Sequence, residues 1–387
     1  MSKSFRELGV SRSVVDALAA RKIDSPFRIQ ELVLPDALAG LDVLARSPTG
    51  SGKTLAFAIP IVERTASDDR RPAALVLVPT RELAAQVTTE IQPLAEARGL
   101  TVAAAYGGLP LKTQAKRAKR AHVLVATPGR LEDLAQRRLV DLGGVRILVL
   151  DEADRMLDMG FKPQVDRIVR RLPRNRQTMF FSATLDGEVG KLARAYTNSP
   201  SRIEGDALPE DPGEIEHRFV AVTTDSKVET LVEHLRGSYS TLVFVRTKRG
   251  AERLVTKLAR HGVKASAMHG DMSQNARQRA LRQFESGKVG VLVATDVAAR
   301  GLDLDDITHV INFDPPAEDK GYVHRTGRTG RAGRSGTAIT LVLPEQQADT
   351  SRVARRLGHA EEYEKSGLES ARAKLVYTSR RGRRSKW

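Results

Sequence analysis

Short apolar runs alternate with helical stretches along most of this chain, and this alternation restricts the fold more than any other feature. In the first half the apolar runs are residues 74–78, 122–126, 147–150 and 179–181. The pattern restarts in the second half, at residues 216–220, 241–245, 263–267, 289–294, 309–313 and 337–343. Strands that alternate with helices form a parallel sheet covered by helices on both faces. The sequence therefore predicts an α/β fold with two such domains in tandem.

The predicted break between the domains lies near residue 210. Residues 205–213 are rich in Gly, Pro, Asp and Glu and lack apolar periodicity, as expected of a linker. We predict a first domain at residues 1–205, a linker at 206–215, a second domain at 216–345 and a C-terminal extension at 346–387. A chain of 387 residues is long enough for two domains with separate cores.

The charge of the chain indicates a polyanionic partner. The formal net charge is +16, and residues 371–387 contribute seven basic residues and no acid. We interpret this tail as a flexible arm that binds nucleic acid through its charge; the alternative is a disordered solubilising tail. Aromatic residues make up only 4% of the chain and do not cluster, which argues against a base-stacking platform. Contacts to a nucleic acid should therefore go mainly to sugar and phosphate.

The composition also limits the metal chemistry and the location. The chain has no cysteine, which excludes disulfides, cysteine–zinc sites and iron–sulfur clusters. A catalytic metal should then have oxygen ligands, which favours Mg²⁺. The longest apolar run, residues 55–62, is shorter than a membrane span, and the N-terminal residues lack the apolar segment of a signal peptide. We expect a cytoplasmic protein.

Three carboxylates follow directly after one of the apolar runs. Asp151, Glu152 and Asp154 come after the run Ile147–Leu150, where a buried strand should end. Burying carboxylates is costly unless they bind something, and ligands of open α/β folds bind at the carboxyl ends of the strands. The residues alone leave two interpretations, a metal site and an acidic turn at the start of a helix.

A candidate phosphate-binding loop occupies residues 47–54, which read Ser-Pro-Thr-Gly-Ser-Gly-Lys-Thr. The loop follows a short apolar segment and precedes a helical pattern, which is the context that such a loop requires. Its glycines allow backbone N–H groups to approach phosphate, while Lys53 reaches the outer phosphates and Thr54 can bind Mg²⁺. A flexible loop without a ligand is the alternative.

The acidic residues and the loop complement each other, because a phosphate-binding loop of this kind needs a strand-terminal Asp to complete its Mg²⁺ site. Asp151 is that candidate. Glu152 is then placed to orient or deprotonate an attacking water, and a structural salt bridge is its alternative role.

The second half of the chain has no Gly-Lys-Thr, so we expect it to bind no nucleotide of its own. It has instead residues 324–334, His-Arg-Thr-Gly-Arg-Thr-Gly-Arg-Ala-Gly-Arg. Arginines separated by glycines are suited to act as arginine fingers on a transferred phosphate. From these residues alone, an RNA-binding basic loop is equally acceptable.

In their order along residues 5–343, these motifs resemble those of the DEAD-box RNA helicases, of the compact bacterial type with a short basic tail. The motifs that carry the resemblance are Gln30 with Phe5 upstream, residues 49–54, 79–84, 107–108, 127–130, 151–154 and 182–184, residues 243–247, Gln274 with Arg277, and residues 294–303 and 324–333. The resemblance implies two tandem RecA-like domains, ATP and Mg²⁺ as cofactors, and ATP-dependent unwinding or remodelling of RNA.

The resemblance also implies an ATP site. Gln30 recognises the adenine edge, which selects ATP over GTP, and Phe5 stacks on the ring. The family has Pro-Thr-Pro-Ile-Gln at residues 26–30, whereas this chain has Pro-Phe-Arg-Ile-Gln, so Phe27 receives no implied contact. The other implied nucleotide contacts are Thr49, Gly50, Ser51, Gly52, Lys53, Thr54, Gly301 and Asp303. The implied catalytic residues are Lys53, Asp151, Glu152, Arg328 and Arg331, with Mg²⁺ bound by Thr54 and Asp151.

A second group of residues is implied to face the RNA backbone or to couple hydrolysis to strand separation. The residues implied to contact RNA are Pro79, Thr80, Arg81, Gly108, Thr127, Gly129, Arg130, Arg246, Thr295 and Arg300. The residues implied to act in coupling are Asp154, Ser182, Thr184 and His324. By the same resemblance, Arg328 and Arg331 complete the ATP site when the two domains close.

Two other functions remain open at this point. One is a DNA helicase or translocase with the same ATPase core, and the other is a non-catalytic RNA chaperone that anneals strands through the basic tail. The RNA substrate, the pathway, the protein partners and the oligomeric state are not determined by the sequence.

Overall fold

The computed structural model describes residues 3–46, 51–185, 187–204, 214–237, 240–299, 304, 307–330 and 334–369. These residues form two parallel sheets, here named sheet A and sheet B, and each sheet is the centre of one compact unit. The prediction of an α/β fold with two tandem parallel sheets is confirmed. Most of the predicted linker, residues 206–215, lies outside the described residues, so the domain limits stay predictions.

Sheet A has seven parallel strands, and its strand order from one edge to the other is β3-β4-β2-β5-β6-β1-β7. The strands of sheet A are β1 (Val43–Arg46), β2 (Ala74–Leu77), β3 (Val102–Ala105), β4 (Val123–Ala126), β5 (Ile147–Leu150), β6 (Gln177–Ser182) and β7 (Ser201–Glu204). The described helices of this part of the chain are α1 (Arg12–Ala19), α2 (Arg28–Ala39), α3 (Lys53–Arg64), α4 (Arg81–Glu96), α5 (Leu111–Ala118), α6 (Pro128–Gln136), α7 (Ala153–Asp158), α8 (Lys162–Val169) and α9 (Gly187–Tyr196).

The interior strands of sheet A are apolar on both faces, since successive side chains of a strand point to opposite sides. In β5, Ile147 and Val149 belong to one buried cluster, while Leu148 and Leu150 belong to the other. Every residue of this strand is therefore buried, which is why it reads as a continuous apolar run in the sequence. Helices cover both faces, and polar groups are left for the strand ends.

Sheet B has six parallel strands in the order β10-β11-β9-β12-β13-β8. Its strands are β8 (Ile215–Ala221), β9 (Thr241–Phe244), β10 (Ala265–Met268), β11 (Val291–Ala294), β12 (His309–Asn312) and β13 (Gly336–Val342). The described helices between and after these strands are α10 (Lys227–Leu235), α11 (Lys248–Arg260), α12 (Gln274–Glu285), α13 (Asp296–Ala299), α14 (Asp319–Thr326), α15 (Gln347–Arg356) and α16 (Ala360–Lys365).

The first part of the predicted C-terminal extension is folded. A short 3₁₀ turn, Pro344–Gln346, leads into α15 and α16. Tyr363 of α16 is 1% exposed and packs edge-to-face on Phe219 of β8, with the ring centroids 5.1 Å apart. The two helices thus cover the edge strand of sheet B. The basic tail, residues 371–387, lies outside the described residues.

Among the residues described, none of the helices combines the length and the apolar character that crossing a membrane requires.

Candidate active site and nucleic-acid interface

The first turn of α3 places a lysine at the carboxyl edge of sheet A. Gly52, the N-cap of this helix, has a φ of +78°, a left-handed conformation that glycine adopts without strain. Lys53 is the first residue of the helix and is only 6% exposed. Ser51 is buried as well. A buried ammonium group needs an anion close by, and β5 supplies one.

Lys53 and the carboxylates after β5 form a buried ionic cluster. Lys53 Nζ lies 2.9 Å from Asp151 Oδ1 and 4.0 Å from Glu152 Oε1. The Asp151 backbone N–H donates to the carbonyl of Leu77 at 3.0 Å, which extends the pairing of β5 with β2 by one residue. Asp151 has no exposed surface, and Glu152 is 5% exposed. The cluster thus brings Lys53 of the candidate phosphate-binding loop next to residues 151–154, Asp-Glu-Ala-Asp, here named the acidic quartet.

The protonation of the cluster follows from burial and charge. Burial opposes the charged form of Lys53, but the carboxylates of Asp151, Glu152 and Asp154 outweigh it and raise the pKa of the lysine. Burial raises the pKa of the Asp151 carboxyl, although the Lys53 ammonium favours its ionised form. The lysine therefore remains charged at neutral pH.

The oxygen atoms of Asp151 fit a hard metal ion. Both carboxylate oxygens are buried; Oδ1 forms the 2.9 Å ion pair with Lys53 Nζ, while Oδ2 makes no hydrogen bond within the described residues. An unsatisfied buried oxygen of this kind is rare in native structures and needs an explanation. Thr54, the second residue of α3, supplies a hydroxyl on the same helix turn as Lys53. An oxygen-only donor set of this type suits Mg²⁺.

Glu152 is held in an unusual backbone conformation. Its φ and ψ are 53° and 51°, which is the left-handed region that non-glycine residues rarely adopt. One of its carboxylate oxygens, Oε2, accepts a hydrogen bond from Arg155 at 3.0 Å. Strain of this kind persists only where the surrounding structure enforces it, and it concentrates at functional sites. Glu152 lies two residues beyond the end of β5 and is the N-cap of α7, so this turn joins the strand to the helix.

Two neighbouring strand ends are linked beside this cluster. The backbone N–H of Asp154 donates to Ser182 Oγ at 3.2 Å, and Ser182 is fully buried at the end of β6. Thr184, two residues further, is exposed. The structure therefore brings Asp154 and Ser182 together and leaves the Thr184 side chain at the surface, while their coupling role stays a prediction.

The predicted adenine-binding residues show one agreement and one departure. The Gln30 side chain is 1% exposed and donates from Nε2 to the carbonyl of Gly52 at 2.9 Å, while its Oε1 accepts from the Phe27 backbone N–H at 2.9 Å. Gln30 thus adjoins the phosphate-binding loop. Phe5 is 2% exposed within the core, so its ring offers no free face for the stacking that the resemblance implies. The exposed ring beside Gln30 is that of Phe27, 60% exposed.

Three residues of the implied RNA face, Arg81, Gly108 and Arg130, come together in the first compact unit. A side chain on Gly107 or Gly108 would lie within 3 Å of the Arg81 guanidinium, which shows how closely the arginine packs on this pair. Arg130 donates to the carbonyl of the next residue, Leu109, at 3.0 Å. Burial lowers the pKa of Arg130, and the nearby charge of Arg81 lowers it further. Two arginines thus converge on one glycine-containing loop.

The remaining residues of this face lie at helix starts. Thr80, the N-cap of α4, accepts from the Leu83 backbone N–H at 3.3 Å, and Pro79 precedes it. Thr127 is the N-cap of α6, and an added side chain on Gly129 would meet no atom within 4 Å. Helix N-termini with free backbone N–H groups suit phosphate contacts.

In the second compact unit the structure describes four of the implied residues. The Arg246 backbone N–H donates to Asp314 Oδ2 at 2.8 Å after β9, and Thr295 is buried after β11. His324 is exposed on α14, and Arg328 is buried two residues after this helix. Six implied residues lie outside the described residues: Thr49, Gly50, Arg300, Gly301, Asp303 and Arg331.

Arg325, to which the sequence motifs assign no role of its own, anchors α14. Arg325 is 4% exposed and donates to both carboxylate oxygens of Asp296, at 2.6 and 2.7 Å, and to Asn312 Oδ1 at 3.0 Å. Its guanidinium also lies over the ring of Phe244, 4.9 Å from the centroid. In the sequence, Arg325 stands among the arginines of residues 324–334, which were interpreted as phosphate contacts. Nothing in that local pattern distinguishes a buried arginine from an exposed one.

Comparisons with known proteins identify both halves of the chain. Residues 27–192 match the family model described as DEAD/DEAH box helicase, and residues 226–333 match that of the helicase conserved C-terminal domain. The DEAD-box ATP-dependent RNA helicase CshA of Streptococcus pneumoniae is 40% identical over 345 residues, which are 88% of this chain and 66% of that protein. CshA of Geobacillus kaustophilus is 39% identical over 355 residues, 91% of this chain and 76% of the relative.

Among solved structures, the chain is similar to Dbp5 of S. cerevisiae bound to RNA and ADP BeF3. The identity is 32%, the TM-score is 0.80, and the alignment covers 96% of each chain. This likeness confirms the predicted RecA-like folds. The chain spans 66% to 76% of the length of the two curated relatives.

Proposed function

Since this chain belongs to the DEAD-box family of ATP-dependent RNA helicases, we propose that the cluster of Lys53, Asp151 and Glu152 is its ATP-hydrolysing centre. In this proposal, ATP binding and hydrolysis drive the local unwinding of RNA duplexes and the remodelling of RNA–protein complexes. The observation that carries the proposal is the burial of one ammonium and two carboxylates at the start of α3 and the end of β5.

Lys53, Thr54 and Asp151 would hold the phosphates and the metal. Lys53 keeps its charge because the carboxylates raise its pKa, so it can neutralise the outer phosphates. Asp151 and Thr54 would bind Mg²⁺, for which the buried Asp151 carboxylate, with its Oδ2 left without a hydrogen bond in the described residues, is suited. When bound, Mg²⁺ supplies positive charge to the phosphate oxygens and orients them for in-line attack.

Glu152 would orient the attacking water and accept its proton. The water oxygen forms a bond to the terminal phosphorus while the bond to the leaving ADP breaks, and the carboxylate takes up the released proton. Its left-handed turn and the Arg155 contact at 3.0 Å hold the carboxylate apart from the strand. A carboxylate fixed in this way is preorganised for the reaction.

The loop at Gly107–Gly108, with Arg81 and Arg130 packed on it, would bind the RNA backbone. Arginines and helix N-termini contact phosphates, and this contact reads no base sequence. Contact with the RNA backbone also stays the predicted role of Arg246 and Thr295 of the second unit, and of Arg300, which lies outside the described residues. Arg328 and the undescribed Arg331 keep the role of stabilising charge on the transferred phosphate. The cytoplasmic location also stays a prediction.

The proposal is tested by replacing the candidate base. Glu152→Gln removes the proton acceptor and keeps the shape, so we expect ATP binding within about twofold of the unaltered protein and RNA-stimulated turnover reduced by about a hundredfold or more. The matched control is Glu188→Gln, because Glu188 is exposed on α9 of the same unit. Hydrolysis is measured with matched RNA and DNA strands, since the ATPase core alone does not identify the sugar. Normal RNA-stimulated hydrolysis in Glu152→Gln would contradict the assignment, and equal stimulation by DNA would favour the DNA helicase alternative.

A further inference from the structure

The helix α5 carries the most strongly basic stretch of the described chain that has no role in the proposed site. From residue 97 to residue 131 the sequence has no acidic residue and seven lysines or arginines. Five of these belong to α5 and the two residues after it, and all five are exposed: Lys112, Lys116, Arg117, Lys119 and Arg120. Within the part of the chain that the structure describes, no ion pair joins any of the five to a carboxylate.

The five cations share one face of the helix. At 100° per residue, Lys112, Lys116 and Lys119 line up along the helix axis, with Arg117 and Arg120 beside them. The opposite face is buried and consists of Gln114, Ala115 and Ala118. The charges are therefore a continuous strip that faces solvent and not a scattered set. Along the axis, Lys112 and Lys119 are about 10 Å apart at 1.5 Å per residue, enough to contact two or three successive phosphates.

This strip is rigidly attached to the proposed RNA-binding loop. Gln114 is 3% exposed, and its side chain forms two hydrogen bonds with the backbone of Tyr106, accepting from the N–H at 3.1 Å and donating to the carbonyl at 2.8 Å. Tyr106 immediately precedes Gly107–Gly108. Because one buried side chain of α5 bonds both backbone groups of Tyr106, it fixes the start of the loop to the helix. The basic face of α5 thus begins where the loop with Arg81 and Arg130 ends.

We propose that α5 is an additional phosphate-binding surface that extends the RNA track from the Gly107–Gly108 loop along the β3 edge of sheet A. The inference rests on the proposed function. Charge complementarity selects the occupant, because a strip of unpaired cations without aromatic residues fits a polyanionic backbone and reads no bases. An acidic protein segment would also match the charge. The connection of α5 through Gln114 to the proposed RNA-binding loop favours RNA instead.

The experiment removes three charges from the strip and compares the result with a matched loss of charge elsewhere. The test variant is Lys112→Gln/Lys116→Gln/Lys119→Gln. The control is Lys191→Gln/Arg194→Gln/Arg202→Gln in the same unit, where Lys191 and Arg194 lie on α9, Arg202 lies on the opposite edge strand β7, and all three are exposed. The affinity for a fluorescent single-stranded RNA of twenty uridines is measured across a series of KCl concentrations.

For the test variant we expect RNA binding about tenfold weaker at low salt and a plot of log affinity against log salt that is shallower by about 2, since each lost phosphate contact removes about 0.7 from the slope. The control should keep the slope and affinity within experimental error. Hydrolysis of ATP without RNA and the melting temperature should not change in either variant, because all six side chains are exposed.

A second measurement uses the absence of cysteine from the chain. In Lys116→Cys the new thiol is unique, so a short photocrosslinker attached to it should capture the RNA, while the same label on Lys191→Cys should not. An unchanged salt slope in the test variant, or equal capture from both positions, overturns the inference, and α5 is then free for an acidic protein partner. The proposed function fails separately, if the unaltered protein shows no RNA-stimulated hydrolysis.

Discussion

At the scale of single residues, Lys53 and Asp151 carry opposite charges in a place where neither is exposed to water. Ion pairs buried in this way gain little net stability, because desolvation offsets most of their attraction, and removing one partner leaves a costly buried charge. A fold retains such a pair where it serves chemistry. The motif residues alone indicated this pairing. The left-handed turn at Glu152 and its contact with Arg155 were visible only in the structure.

Gln30 is the residue for which recognition of the base is most directly testable. Its buried amide already bonds Gly52 and Phe27 and retains one N–H and one acceptor site for a base. We expect Gln30→Ala to lower ATP affinity about tenfold and to abolish the preference for ATP over GTP, since a bidentate base contact is worth roughly 1 to 3 kcal/mol. Titration with fluorescent ATP and GTP analogues measures both.

The matched control is Gln92→Ala, on the exposed surface of α4. If Gln30→Ala weakened ATP and GTP equally, Gln30 would act only by holding the phosphate-binding loop, and base recognition would have to come from another residue such as Phe27.

At the scale of elements, the interior strands were predictable and two edge strands were not. The runs that predicted β2, β4, β5 and β6 are buried along their whole length, so each reads as a block of apolar residues. The edge strands β3 and β7 have the sequences Val-Ala-Ala-Ala and Ser-Arg-Ile-Glu and are only partly buried. Alanine and charged residues have low strand propensity, so their pairing partner decides their conformation.

The start of β13 offers a test of how one element positions the next. A Cβ on Gly336 would press on the Thr329 hydroxyl and lie 2.7 Å from Gly330 N, directly after Arg328. We expect Gly336→Ala to destabilise the second unit by about 1 to 3 kcal/mol, as overpacking does. It should also lower RNA-stimulated ATPase activity about tenfold, if Arg328 has its predicted role. Urea unfolding and steady-state hydrolysis are the measurements.

Gly290→Ala is the control for this substitution, since a Cβ at Gly290 would meet no atom within 4 Å. Unaltered stability and turnover in Gly336→Ala would show that the segment at Thr329 adapts freely and does not position Arg328.

At the scale of the whole molecule, charge and protonation determine how the protein responds to its solution. The net charge of +16 includes the five exposed cations on and directly after α5 and the seven basic residues of the tail sequence. A group made of the buried Tyr322 and the half-buried His217 and His359 instead links β8, α14 and the segment before α16. His217 Nδ1 and the Tyr322 hydroxyl are 2.8 Å apart, and the two histidine rings stack with centroids 3.8 Å apart.

The histidine group predicts a loss of stability in acid. Burial and the neighbouring His359 lower the pKa of His217 to about 4, while Glu362 opposes the shift. The unfolded chain binds this proton near pH 6.5 and the folded chain only near pH 4, so stability is complete above pH 6.5 and falls below it. Between pH 8 and pH 5 we expect His217 to account for a loss of about 1 kcal/mol, less than its full pKa shift implies because the ring is partly exposed to solvent. His234, His309 and His359, whose pKa values burial also lowers, add to this loss. Urea unfolding followed by tyrosine circular dichroism measures it.

His217→Gln should be less stable at pH 8 and should lose about 1 kcal/mol less than the unaltered protein on acidification. The control is His261→Gln, which replaces an exposed histidine of α11's C-cap and should keep the full acid sensitivity. The same pH dependence in all three proteins would assign the effect to other groups.

The basic tail gives the last prediction at this scale. Deleting residues 371–387 removes seven positive charges. We expect weaker RNA binding and a shallower salt dependence, with hydrolysis of ATP in the absence of RNA unaltered. Filter binding over a range of KCl concentrations measures the effect, and an RNA affinity equal to that of the full chain would indicate a solubilising tail.

By itself, the sequence determined the strand and helix alternation, the phosphate-binding loop and the acidic quartet, because each depends on a local order of residue types that backbone geometry translates directly. Only the tertiary structure decided which side chains are buried and what they contact. Phe5 lies in the core while Phe27 is exposed, Gln114 bonds the backbone of Tyr106 beside the Gly107–Gly108 loop, and Arg325 is a buried anchor. Burial and contact depend on residues far apart in the chain, so no local pattern records them. For that reason the meeting of Lys53 with Asp151 was predictable from motifs, and the basic face of α5 was not.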